Sequence, residues 1–446
     1  MLSRPKLILA LFVISRIICR VWLSSHFHQL LMRQIIFVLL CVLSLPCFGQ
    51  QLPFEELLDS GKTEYKRQLE GPSPDFRKAT ALLERAVKVQ PRNTTARYFL
   101  GYSIDKQNSS SGEEMNMLCL SETIRASEQF EYINKVEPAY KGEILVLDPY
   151  AKISAIWGSQ ALAYLNKGRK DSAQWALQEG KKRGGFLEPV LAFNRHLLHG
   201  CESNSLLVTN GDNITFSVLY LQLVENLRPD LSFLDINLLH TAWYPKLLKR
   251  ENKIPISYNE QELDSVTYSK WTPTPVTVEH NQPAKSFTWM VKPSYMADYL
   301  LRGDKILLDI FKQTIFKKQI YFSEPKPDSS MNLSLEDHLF TVGLHSALRA
   351  GEATFNQQAL QRENLKNYEV VPAHAVAIRN SPSTVEMLNN FRVAYYLRIY
   401  DVLEQDRTEA RNLFAEMNKK FPESLLPFTQ FFKEHHDRIT TLVADK

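Results

Sequence analysis

From Ser205 onward the chain alternates short apolar runs with amphipathic stretches. Leu206-Leu207-Val208 is an apolar run that ends in the polar cluster Thr209-Asn210-Gly211-Asp212-Asn213. Phe216, Tyr220, Leu223 and Leu227 follow at i, i+4, i+7 and i+11, the spacing of one helix face. Arg228-Pro229-Asp230 stops that helix, because proline has no amide to donate and restricts the residue before it. A second apolar run spans Leu231 to Ile236. The pattern predicts a strand–helix–strand unit, and a crossover of this length makes the two strands parallel. Further on, residues 237–250 predict a second amphipathic helix, 286–291 a strand, 303–314 a helix and 319–322 another strand. Ser334-Leu335-Glu336-Asp337 has the form of a capping box and predicts a helix through Arg349. Residues 255–282 are a polar excursion around Trp271-Thr272-Pro273-Thr274-Pro275, either a lid over the strand ends or a surface loop.

The flanks follow another rhythm. Ala79, Leu83, Ala86 and Pro91 recur in spacing as Ala126, Phe130, Ile133 and Pro138, and again as Ala410, Phe414, Met417 and Pro422. Small residues at such positions let two helices approach, and the proline closes the unit. The pattern resembles the second helix of the tetratricopeptide repeat (TPR). Leu100-Gly101 and Trp157-Gly158 fall where that repeat's first helix carries a Leu-Gly pair. The Ala79-to-Ala126 separation is 47 residues, longer than a standard repeat by the polar loop at 107–117. Gly184-Gly185 ends a helix, 391–420 predict a C-terminal helix pair and 425–443 a solvating cap. The expected organisation is a leader at 1–49, TPR-like helices at 50–200, an α/β domain with a Rossmann-like parallel sheet at 201–350, and TPR-like helices at 351–446.

The central stretch also carries a family resemblance. TNGDNITF, followed by LRPDLSFLDINLLHTAWY, resembles the soluble C-terminal region of large bacterial membrane proteins related to protein O-mannosyltransferases. Asp304 to Ile310 and Gln319 to Phe322 extend the likeness. Two positions depart from it: Ile214 and Ala242 stand where the family tends to have Asp. The resemblance implies a link to protein glycosylation. The family's many membrane helices, which would hold glycosyltransferase chemistry, have no counterpart here.

Charge changes the picture only once the leader is set aside. The chain of 446 residues carries a net charge of +4, but residues 1–49 hold Arg4, Lys6, Arg16, Arg20 and Arg33 and no acid. The remainder is close to neutral, so nothing electrostatic favours nucleic acid or an anionic membrane as partner. Met32-Arg33, the apolar run 35–45, Pro46 and Cys47-Phe48-Gly49 form an export signal with cleavage before Gln50. On this reading Met32 is the true start, and the protein is periplasmic or extracytoplasmic; the alternative is a retained N-terminal membrane anchor. Cys119 and Cys201 would remain, either as a disulfide or as two free thiols, and no zinc-like Cys/His spacing is present.

The candidate chemistry lies at the end of the first strand, where parallel sheets bind ligands and a helix N-terminus offers free amides. Asn210, Gly211, Asp212, Asn213 and Thr215 are the candidate ligand-binding residues, with Trp243 and Tyr244 as walls able to stack on a sugar ring. The competing interpretation makes Asp212 or Asn213 a helix cap, Gly211 a positive-φ turn, and the aromatics core. A single carboxylate points to no catalytic metal, and no cofactor is expected. Gly-x-Ser-x-Gly, P-loop and Gly-x-Gly-x-x-Gly motifs do not occur. His196 with His199, and His338 with His345, read as ordinary surface or core residues. Two functions are carried forward. One is a non-catalytic binding protein, its repeats recruiting a protein partner and its α/β domain holding a glycan or other small polar ligand. The other is a glycan- or phosphate-directed hydrolase or transferase that uses Asp212, which a second acid close in the fold would favour.

Overall fold

The computed structural model describes residues 53–109, 115–280, 286–350 and 357–444. The leader assigned to 1–49 lies outside them, and the loop at 107–117 lies partly outside. Among the described residues no helix is long and apolar enough to cross a membrane.

The N-terminal part is built from antiparallel helix pairs: α1 (Phe54–Leu69) on α2 (Arg77–Val89), α3 (Thr94–Ser109) on α4 (Leu120–Val136), and α5 (Pro149–Asn166) on α6 (Lys170–Lys182). The small-residue positions do what their spacing predicts. Ala79, Leu83, Ala86, Ala126, Phe130 and Ile133 are all fully buried, and the Phe130 ring lies against Gly101. Gly184-Gly185 ends α6, and a further helix, α7 (Glu188–His199), leads into the sheet. α5 is apolar on nearly every side, as a helix enclosed by neighbours must be.

The sheet follows. β1 (Leu206–Thr209), α8 (Asp212–Leu223) and β2 (Ser232–Asp235) form the predicted crossover, with β1 and β2 parallel and Thr209 opposite Asp235. Next come α9 (Tyr244–Glu251), α10 (Glu260–Ser265), β3 (Ser269–Lys270), β4 (Thr274–Glu279), β5 (Ser286–Val291), β6 (Tyr299–Leu300), α11 (Arg302–Thr314) and β7 (Ile320–Phe322). α12 (Ser329–Asn332), β8 (Leu339–Thr341) and β9 (Ser346–Leu348) complete this part. The five-stranded order is β2-β1-β7-β9-β8. The three strands β2, β1 and β7 are parallel, but β9 runs antiparallel to both β7 and β8. The sheet is therefore mixed, not the all-parallel Rossmann-like sheet expected.

Two local expectations are also corrected. Residues 334–349 form no helix. A 3-10 turn at Glu336–His338 leads into the β8–β9 hairpin, which turns at Gly343 with φ of 127°. The helix expected at 237–250 is a 3-10 turn at Leu238–His240 followed by α9, broken around Thr241 to Trp243. Residues 255–280 of the excursion carry α10, β3 and β4: Trp271 Nε1 donates to Val291 O at 3.0 Å, and β4 pairs along its length with β5.

The C-terminal helices α13 (Gln357–Asn367), α14 (Ala375–Asn380), α15 (Pro382–Val402), α16 (Arg407–Lys420) and α17 (Gln430–Ala444) pack back onto the rest. Phe54–Lys446 form one compact unit. Asp148 is the clearest tie. Fully buried, it caps α5 by accepting from the Tyr150 and Ala151 amides at 2.9 and 3.2 Å. Its second oxygen accepts from Ser381 Oγ at 2.8 Å and the Ser383 amide at 2.9 Å, at the start of α15. One carboxylate thus holds two helix N-termini more than 230 residues apart.

Candidate functional site

Gly211 sets the site. Its φ of 84° and ψ of 153° lie in a region that side-chain-bearing residues rarely occupy. This turn takes the chain out of β1 and into α8. Gly211 is itself the cap residue, with no side-chain cap bond, so Asp212 occupies the first helical position and is not a cap. Its carboxyl makes no hydrogen bond or ion pair among the described residues.

Asp212 instead faces a cleft of about 310 Å³ between the helical repeats and the sheet. α3 contributes Asp105 and Lys106, and α5 contributes Lys152 and Ser159. The sheet side contributes Asp212, Thr215, Asp235, Asn237 and His240. Among the described residues, none that lines the cleft comes from 255–280. Phe216 and Ala155 supply apolar wall, and Phe216 packs face-on to Gly158, where a Cβ would fall 2.2 Å from its ring. A small residue on α5 is therefore what lets α8, and Asp212 with it, approach the repeats.

The charges are arranged unequally. Lys152 is buried, with its Nζ 2.6 Å from Asp105 Oδ2 and 4.6 Å from the Tyr102 ring centre. Burial alone would depress its ammonium, but the Asp105 charge and hydrogen bond outweigh that and hold it above the usual range. Lys106 has no direct partner among the described residues, and burial pushes its ammonium down. Water reaches the Asp212 carboxyl, which keeps accessible surface. Desolvation by the cleft walls nevertheless pushes it up against the pull of Lys152 and Lys106. The cleft thus presents one committed ion pair, plus a cation and a carboxyl that are near each other but not in contact.

Asp235 has a different character. Its Oδ1 accepts from the Asn237 and Leu238 amides at 2.8 and 3.0 Å, while Oδ2 lies 2.5 Å from Thr215 Oγ1. Thr215 Oγ1 is 2.8 Å from Thr209 Oγ1, which donates to Leu234 O at 3.0 Å. Each hydroxyl has one proton. With Asp235 protonated, each step of the chain Asp235–Thr215–Thr209–Leu234 carries one; with Asp235 ionised, one oxygen pair faces without a proton. Burial, with Asp212 adding to it, pushes the Asp235 carboxyl up to about 6. This acid is a structural anchor for the 238–240 turn. The Gly303 amide donates to His240 Nδ1 at 3.3 Å, which puts the proton of the neutral ring on Nε2.

The residues expected to converge do so only in part. Asp212 and Thr215 line the cleft. Asn210 is turned away: its Nδ2 donates to Glu324 Oε1 at 2.8 Å, and its Oδ1 accepts from Asn237 at 2.9 Å. Asn213 contributes its carbonyl to Asn194 at 3.4 Å and does not line the cleft. Trp243 and Tyr244 are buried, at 6% and 2% exposure, and neither walls it. The Tyr244 hydroxyl accepts the Asp235 amide at 3.0 Å. Sequence spacing missed Asp105, Lys106, Lys152, Asp235 and His240. Asp235 had a signal, since it ends β2 directly opposite Thr209. So did Lys152, a lone charge in the otherwise apolar stretch of α5. Cys119 and Cys201 are free thiols, one exposed and one buried. His345 is buried against Gly200 O at 3.0 Å, and His196 packs on Tyr368 and Phe391.

Among the described residues no group of three or more His, Cys, Asp and Glu side chains could hold a metal ion. No curated protein and no solved structure matches the chain. Residues 190–271, which run from within α7 through β3, match the family described as TMEM260-associated domain 2.

Proposed function

We propose that this is an exported, non-catalytic binding protein whose cleft between the repeats and the sheet holds a small polyhydroxylated ligand, a glycan unit. One observation carries the reading: Lys106 and Asp212, an unpaired cation and an unpaired carboxyl among the described residues, face the same cleft beside the Lys152–Asp105 pair. Sugar hydroxyls both donate and accept, so they can bridge such a pair. Two lysines facing three carboxyls make a poor site for a phosphate. The resemblance of 205–349 to a glycosylation-related family supports the same ligand class. The leader pattern supports an extracytoplasmic location, which N-terminal sequencing from the native host would check; a start at Gln50 is expected. The helical repeats are surfaces suited to a protein partner.

A second reading, a glycan-directed hydrolase or transferase, has one observation in its favour. Asp212 faces the cleft with its carboxyl pushed up by desolvation and without a hydrogen bond among the described residues, as a general acid would be. A glycan array probed with the purified protein tests both. Retention of a glycan by wild type, lost in Asp212→Ala and unchanged over hours, supports binding. Cleavage or transfer on the array, lost in Asp212→Asn, supports the enzyme. Phosphate-dependent binding with no glycan retained contradicts both.

A further inference from the structure

On the far side of Thr215 lies a second cavity, of about 200 Å³. It is bounded by Leu162 of α5, Leu219 of α8, Phe233 of β2, Leu247 of α9 and Ile254. Close-packed interiors leave few voids larger than a water molecule. An engineered apolar cavity of about 150 Å³ stays dry and takes up benzene. This pocket is larger, opens at its rim and is lined mainly by hydrocarbon, which suits it to an apolar guest.

Its few polar lining groups are already occupied. Thr215 belongs to the Asp235–Thr209 chain, and the Tyr244 hydroxyl accepts the Asp235 amide. Gln222 Nε2 donates to Arg228 O and Leu231 O, each at 3.0 Å. The interior thus offers mainly hydrocarbon. The rim differs: it carries Lys170, Lys253 and Glu251, all exposed. Neither lysine makes an ion pair among the described residues. Two cations against one carboxylate favour an anion at the mouth.

We propose that this cavity binds the aliphatic chain of a fatty-acid-like amphiphile, with the carboxylate held at the rim by Lys170 and Lys253. The site is independent of the polar cleft and of the reading given to it. Delipidated full-length protein is titrated calorimetrically with decanoate, decanol and acetate. Decanoate and decanol should bind and acetate should not. Leu219→Trp, which fills the cavity, should abolish binding of both chains. Because that variant could disturb folding, Lys170→Glu/Lys253→Glu provides a second test at exposed positions. It should weaken decanoate at least tenfold and leave decanol unchanged. Absence of decanoate binding to wild type, or unaltered binding in a folded Leu219→Trp, overturns the cavity assignment. Equal decanoate affinity in the double lysine variant overturns the placement of the carboxylate.

Discussion

At the residue scale, Asp235 shows how burial converts a turn into a pH-sensitive element. Its carboxyl is raised from 3.8 to about 6. The folded protein therefore holds that proton more tightly than the unfolded chain does. The sign follows: the stabilisation is fully present below about pH 4 and is lost as pH rises through about 6. Two pKa units at about 1.4 kcal/mol each put the loss near ~3 kcal/mol as an upper value. Asp235→Asn keeps an acceptor for the Asn237 and Leu238 amides and supplies a permanent N–H for Thr215. Across thermal melts from pH 4 to 7, wild type should lose stability relative to the Asn variant as pH rises, because His345, held down to about 4 by burial, adds the opposite slope to both proteins equally. The Asn variant should equal or exceed wild type at pH 7. A variant profile parallel to that of wild type would assign the dependence to other groups, Asp212 among them.

At the scale of elements, the β1–α8 turn and the α5–α8 contact decide where Asp212 lies. Gly211 has open space where a Cβ would go, but its φ of 84° is unfavourable for any side chain. Gly211→Ala should therefore cost about 1–3 kcal/mol through backbone strain alone. Gly158→Ala fails for the opposite reason, since its Cβ would meet Phe216 at 2.2 Å. Overpacking of this kind costs about 1–3 kcal/mol and pushes α8 away from the repeats. Denaturant melts of both variants check these values. The crossover β1–α8–β2 was legible because its apolar runs, helix period and terminating proline all agree. The β8–β9 hairpin was not. Leu339 to Leu348 is too short and too evenly apolar to separate strand from helix, and Ser334 looks like a cap while sitting at φ of 63°. Gly343 in mid-segment was the available warning. The turn at 209–215 was legible as a strand end that feeds a helix and borders a cleft, whereas the Asn210 side chain is held by Glu324, far away in sequence, and Asn213 does not line the cleft. One wall of the cleft comes from α3 and α5, and no local pattern near residue 210 could have announced Lys106 or Lys152.

At the scale of the whole molecule, repeats, sheet and C-terminal helices stand or fall together. Phe193 of α7 meets Phe391 of α15 with ring centres 5.0 Å apart, and Asp148 caps both α5 and α15. A segment after Arg349 should therefore not be released early by limited proteolysis. Asp148→Ala removes the α5 cap, worth about 0.5–2 kcal/mol, and a charged hydrogen bond to the Ser383 amide, worth about 1.5–3 kcal/mol, so a loss of roughly 2–5 kcal/mol is expected. The same variant should expose the C-terminal helices to protease before the rest of the fold melts. Release of the C-terminal segment from wild type at the same rate would show that the two ends are only weakly tied.

The central claim is that the cleft between repeats and sheet is a binding site built on Asp212, and calorimetric titration tests it most directly. The ligand is the glycan best retained on the array, titrated into wild type and Asp212→Ala at pH 7. Loss of a charged hydrogen bond is worth about 1.5–3 kcal/mol, which is tenfold or more in affinity. Wild type should bind one glycan per chain, and the variant at least tenfold more weakly, with a melting temperature no lower than that of wild type, because Asp212 caps nothing and a carboxyl pushed up by desolvation costs stability at pH 7. Equal affinity in the two proteins would contradict the account.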